Sequence, residues 1–163
     1  MRTPRGRIGL GAGCRALAAA SVLQLTAGAL GMAVAVQRRL PYDVRLVGMS
    51  GRPDTVVRDS VFLGTALSAP VTMLSAQALV TGLVATGRAR PWAIPTLGVL
   101  GAAMVGGYLG ETLVRQRLRP VGWETVESSI VIGGISLAAL MAILSARCLT
   151  RPGQPGRVSS PVA

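Results

Sequence analysis

Four stretches of the chain carry no charge at all: residues 16–36, 60–87, 91–110 and 128–146, once the single charges at their edges are set aside. At about 1.5 Å of rise per helical residue, each is long enough to cross a hydrocarbon core about 30 Å thick. The charged residues fall between and beside these runs, as they do where hydrophobic segments span a bilayer and polar connections lie in water. The pattern predicts an all-α membrane protein: a four-transmembrane-helix up-down bundle with a disordered C-terminal tail. Its expected parts are a basic N-terminal segment (1–15), a membrane domain (16–149) with spans near 16–36, 60–86, 92–113 and 125–148, and the tail (150–163). No strand is expected outside residues 42–50.

The connections are read from their punctuation. Residues 37–59 form the longest, broken by Pro41, Gly48, Gly51 and Pro53, with Asp54 or Thr55 placed to cap a helix leading into the second span. The second uncharged run is longer than a vertical helix needs, and Pro70 inside it removes a backbone donor, so a bend near residues 66–70 is expected. Arg88-Ala89-Arg90-Pro91 is short enough to make the second and third spans antiparallel neighbours. In the third connection, Glu111 and Arg115 stand four apart in the favoured order, which predicts that the third span continues as helix past the membrane edge. Ala33-Val34-Ala35 offers a small-x-small cleavage site, but Arg38-Arg39 come soon after, as at the flank of a permanent span, so the first run is expected to be retained. Trp92 and Trp123 stand at the starts of the third and fourth spans, where an aromatic belt would put them.

Composition sharpens this picture mainly by exclusion. Charged residues make up 14% of the 163-residue chain, against about 25% in soluble domains. There is no His, Lys or Asn, which removes the commonest general base and metal ligand, Schiff-base chemistry and N-glycosylation. The net charge of +11 rests on Arg as the sole basic residue type. With five aromatic residues there is no base-stacking platform, so anionic lipid headgroups are the expected partner and nucleic acid is not. The Arg-rich, Lys-free composition fits a GC-rich bacterial genome and a cell inner membrane. Nine Arg would lie on the side of the termini and eight on the other, and with all six acids on the second side, cytoplasmic termini are favoured. Cys14 and Cys148, 134 residues apart, form no redox or zinc motif; they are expected to be reduced thiols on one side of the membrane.

Without a hydrophobic drive in lipid, helices associate through small residues. Four-apart stripes occur at Gly98, Ala102, Gly106 and Gly110 in the third span and at Gly134, Ala138, Ala142 and Ala146 in the fourth. Shorter or mixed ones occur at Ala27, Gly31 and Ala35 and at Gly64, Ser68, Thr72 and Ala76. These predict helix–helix contacts. Gln24 and Gln77, the amides within the spans, are expected to hydrogen-bond between helices. Thr65, Ser68, Thr72 and Ser75 would share one seam of a continuous second helix. Glu111, the carboxylate closest to a span, is expected to pair with Arg115; the alternative is a proton- or cation-binding carboxylate at a bundle mouth, with Glu127 and Arg119 nearby.

No nucleophile–base pair, metal-ligand set or cofactor motif can be assembled from these residues. The leading expectation is therefore a non-enzymatic membrane protein acting by association: an accessory subunit, a scaffold, a homo-oligomer or part of a larger membrane complex. The alternative is a small oligomeric transporter or pore using the hydroxyl seam and Glu111.

Overall fold

The computed structural model describes residues 12–44, 48–88 and 91–150. The basic segment and the tail expected at the two ends lie outside it except for residues 12–15 and 150. The described residues are mostly helical, with three helices among them long and apolar enough to cross a membrane: α1 (Ala12–Gln37), α4 (Ala93–Gly110) and α6 (Thr125–Thr150). A two-stranded antiparallel hairpin, β1 (Asp43–Val44) and β2 (Met49–Ser50), comes after α1. The short helix α2 (Val56–Asp59) is next, then the apolar helix α3 (Val71–Ala85); after α4 come α5 (Thr112–Arg117) and a 3-10 turn at Pro120–Gly122. Of the long helices, α1 packs on α3 and α6, and α4 packs on the same two.

Two helices differ from the sequence expectation, each for a local reason. The second run is not a bent helix from residue 60. Apart from a turn of helix that ends as the run begins, helix starts only at Val71, so α3 has 15 residues and spans about 22 Å. Pro70 has no N–H to give and disfavours helical geometry at Ala69, while Gly64 adopts a left-handed φ of +88°. The intervening segment folds back on itself. Thr65 and Ser68 exchange backbone hydrogen bonds of 3.0 and 3.3 Å. The N–H groups of Val71 and Thr72, which open α3, donate to the carbonyls of Ser60 and Val61 at 3.0 and 3.2 Å. That satisfies two of the donors a helix start leaves over.

The second difference is at the end of α4. The helix stops at Gly110 and Glu111 is extended, with φ −73° and ψ 131°. Gly106, Gly107 and Gly110 weaken helix here, and the Glu111 carboxylate is held by the Asp43 N–H at 2.6 Å. The expected run of helix through Glu111 to Arg115 is therefore interrupted.

Small residues set the packing, with the expected stripes of α1 and α6 turned inward in part and that of α4 largely outward. On α4 the inward positions are Leu97, Gly101, Met104 and Tyr108, all buried. A Cβ on Gly101 would stand 2.6 Å from the Ala138 carbonyl oxygen, and one on Gly98 would collide with Ser145. By contrast Ala102 and Gly106 are exposed, Gly106 has open space around it, and Gly110 meets only Val44 at 3.6 Å. On α6, Gly134 and Ala138 are buried, Ala142 is half-buried and Ala146 is exposed. Gly134 lies against the Tyr108 hydroxyl, 2.8 Å from where its Cβ would be. On α1, Gly28 faces Leu74 and Gly31 abuts the Leu67 carbonyl of the folded-back segment. The large residues decide which stripe turns inward: Met104 and Tyr108 fill the interior, leaving the Ala102–Gly106 side outside.

A side chain at Gly101 must therefore push two backbones apart. Gly101→Leu is expected to cost more than about 2 kcal/mol and Gly106→Leu less than about 0.5 kcal/mol, by the usual magnitudes for overpacked and exposed positions. Thermal unfolding of the two variants in detergent checks this order.

Candidate functional site

The break before α3 and the break after α4 meet at one end of the molecule, and a cavity of about 110 Å³ lies between them. Leu63, Thr65, Ala66 and Ser68 come from the folded-back segment, Met104, Tyr108 and Glu111 from the end of α4, and Tyr42 from the approach to the hairpin. The two departures from helix create the space and deliver a carboxylate and a hydroxyl to it.

Glu111 is 5% exposed. One carboxylate oxygen accepts the Asp43 N–H; the other accepts no hydrogen bond among the described residues, and no ion pair joins Glu111 to Arg115. The expected Glu111–Arg115 pair is thus replaced by a contact with a backbone amide, because Arg115 stands on the far side of the helix break and is exposed. Burial pushes the Glu111 carboxyl up to about 7; the nearby Asp43 charge acts in the same direction, while the Asp43 N–H and, more weakly, Arg115 oppose it.

Thr65 is 6% exposed and its hydroxyl has no hydrogen-bond partner among the described residues. The Tyr108 hydroxyl, on the α6 side of the ring and close to the Gln24 amide, also makes no hydrogen bond of ordinary geometry. The four hydroxyls expected in one seam are split. Thr65 and Ser68 lie in the folded-back segment, whereas Thr72 and Ser75 are exposed on α3 and do not line the cavity. The close spacing of Gly64 and Pro70 inside an apolar run is the signal that could have located the break. Nothing local in the sequence marks the Asp43 N–H as the partner of Glu111.

Two Arg and two Glu at this end pair with one another. Glu127, 2% exposed, accepts Arg38 Nη1 at 2.6 Å and Arg117 Nε at 2.7 Å. Arg38 also reaches Glu124 at 3.3 Å. The Glu127 N–H donates to the Glu124 carboxylate at 2.6 Å, which caps α6; this bond, together with the charge of Arg38, holds the Glu124 carboxyl below its usual range. Ser128 closes the corner by donating to the Arg117 carbonyl at 3.0 Å. This clamp ties the end of α1 to α5 and α6. Arg119, the expected neighbour of Glu111, is exposed and takes no part in it.

Deeper in, Gln77 donates to the Ser21 carbonyl and hydroxyl at 3.0 and 2.9 Å, and Ser21 and Thr81 share a 2.6 Å hydrogen bond. Gln24 contacts the Met104 sulfur at 3.7 Å. Both amides thus work between helices. The Cys14 and Cys148 sulfurs stand 3.7 Å apart as thiols, joining the start of α1 to the end of α6. The chain matches no protein-family model, no curated protein and no solved structure.

Because the folded protein holds the Glu111 proton above the ordinary value of 4.5, folding binds a proton that the unfolded chain would release. The stability this contributes is complete below about pH 4.5 and is lost as the pH rises through about 7. Glu124 acts in the opposite sense, and only in more acidic solution. Melting temperatures of the wild type are expected to fall between about pH 5 and 8, and those of Glu111→Gln to stay level there, making the variant the more stable protein at about pH 8.

Proposed function

We propose that this is a four-span, non-enzymatic integral membrane protein that takes up a small solute at the Glu111 cavity, as a small transporter or pore would. The folded-back segment and α3 together form the second crossing of an up-down bundle. Its place is a bacterial cell inner membrane, with both termini cytoplasmic and anionic lipid headgroups against its Arg. Irregular backbone at membrane depth is tolerated where protein buries it or where it lines a cavity, and interrupted helices are a recurrent way of building solute sites in transporters. The observation that carries the reading is Glu111: a buried carboxylate with no cationic partner among the described residues, lining a cavity. Glu127 shows how a purely structural carboxylate at this end is held, by two Arg.

The association reading keeps one specific support. The outer side of α4 at Ala102 and Gly106 is small, exposed and open, which suits close approach of another helix. The two readings do not exclude each other, since they rest on different residues.

Reconstituted proteoliposomes separate them. Uptake of a small solute or proton is expected for the wild type, abolished by Glu111→Gln and retained by Gly106→Leu. Equal flux in wild type and Glu111→Gln, both correctly folded, would remove the cavity from the function.

A further inference from the structure

We propose that the cavity takes a small monovalent cation in exchange for the Glu111 proton, with the Glu111 carboxylate and the Thr65 hydroxyl as its side-chain oxygens. This deepens, and rests on, the reading of the cavity as a solute site. Both groups are more than nine-tenths buried, and the Thr65 hydroxyl has no partner among the described residues. Leu63 and Ala66, which line the same space, have carbonyls that accept no hydrogen bond among the described residues. Helix would have used those carbonyls internally; the folded-back backbone leaves them over.

Charge selects the sign of the ligand. Among the described residues no Arg lines the cavity. Among the described residues the ionisable groups around Glu111 are Asp43 from the hairpin, whose charge disfavours ionisation of Glu111, Tyr108 from α4, Tyr42 before β1, and the exposed Arg115 from α5, which acts only weakly. The folded-back segment and α3 contribute no charged lining residue, and Glu127 of α6 is held by Arg38 and Arg117. An anion would meet the carboxylate unshielded. An uncharged solute would leave the cost of ionising Glu111 where it is. A cation removes that cost and so competes directly with the proton.

Size and donor set narrow the class further. A cavity of about 110 Å³ is well below the roughly 300–1,000 Å³ of pockets that hold drug-sized ligands. It admits an alkali ion with a little water or a one-carbon ammonium. Divalent ions favour several carboxylates, and only Glu111 supplies one here. The exchange balances as a protonated Glu111 plus a cation giving a carboxylate–cation pair plus a released proton.

The test is proton release from purified full-length protein in detergent, weakly buffered at about pH 7 with a pH indicator. Sodium, potassium and methylammonium chlorides are titrated against the bulky N-methylglucamine chloride. Saturable release of up to about half a proton per chain by at least one of the small cations is expected, with none for N-methylglucamine. Glu111→Gln is expected to abolish the release. Thr65→Val should retain it but shift its midpoint to about tenfold higher cation, as loss of one oxygen contact implies; this variant carries the test if Glu111→Gln does not fold. The small cation that acts identifies the source, metal ion or ammonium. No release, while Glu111-dependent flux persists in proteoliposomes, would overturn the cation exchange and leave the cavity as a solute site. Absence of both release and flux would overturn both.

Discussion

An apolar interior leaves no water to satisfy a polar group, so each one must find a partner inside the protein. Most of this structure can be understood as the working out of that constraint. The long helices satisfy their own backbones. Where the second run abandons helix, the first donors of α3 turn to the Ser60 and Val61 carbonyls. Gln77 is placed on Ser21, and Thr81 in turn shares its hydroxyl with Ser21. Glu127 can be buried because two guanidinium groups meet it. Among the described residues the Gln24 and Gln77 amide oxygens and the Thr65, Tyr108 and Thr112 hydroxyls are left without a partner, and Thr65 shares a cavity with Glu111.

Close packing makes the pairing possible. Gly28 and Gly31 let α1 approach α3 and the segment that precedes it, and Gly98 and Gly101 let α4 approach α6. With backbones this near, long side chains are excluded from the interfaces and the few polar ones reach across to the next helix. The same closeness leaves the break between α4 and α5 directly beside the break before α3, because α4 and α3 are neighbours. The cavity is therefore a consequence of two local interruptions brought together by glycine-mediated packing.

Much of the helical framework is legible in uncharged runs alone. The starts and ends of α1 and α6 fall within a few residues of the expectation, since charge marks where a segment leaves an apolar environment. Boundaries inside an uncharged run carry no such mark, and the missing first half of the second helix shows the result. Gly64 and Pro70 point to a bend, but the choice between bent helix and folded-back chain depends on the distant carbonyls of Ser60 and Val61. The small-residue stripes are visible, yet with glycine at positions 98, 101, 106, 107 and 110 the sequence offers several faces of α4 at once. The bulk of Met104 and Tyr108 settles which one turns inward. Glu111 is legible as an unusual residue from its position at the end of an apolar run. Its environment is not, because its partner is a backbone N–H from a hairpin, and a backbone donor has no residue type to recognise.

Glu111 is buried with no ion-pair partner among the described residues, and burial pushes its carboxyl up to about 7. Infrared difference spectroscopy of the carboxylic acid C=O stretch, comparing wild type with Glu111→Gln from about pH 5 to about pH 9, observes the Glu111 proton directly. A band is expected that is absent from the variant and, in a weakly buffered solution of N-methylglucamine chloride, disappears with a midpoint at about pH 7. A Glu111 carboxyl already fully ionised at about pH 5 would contradict it.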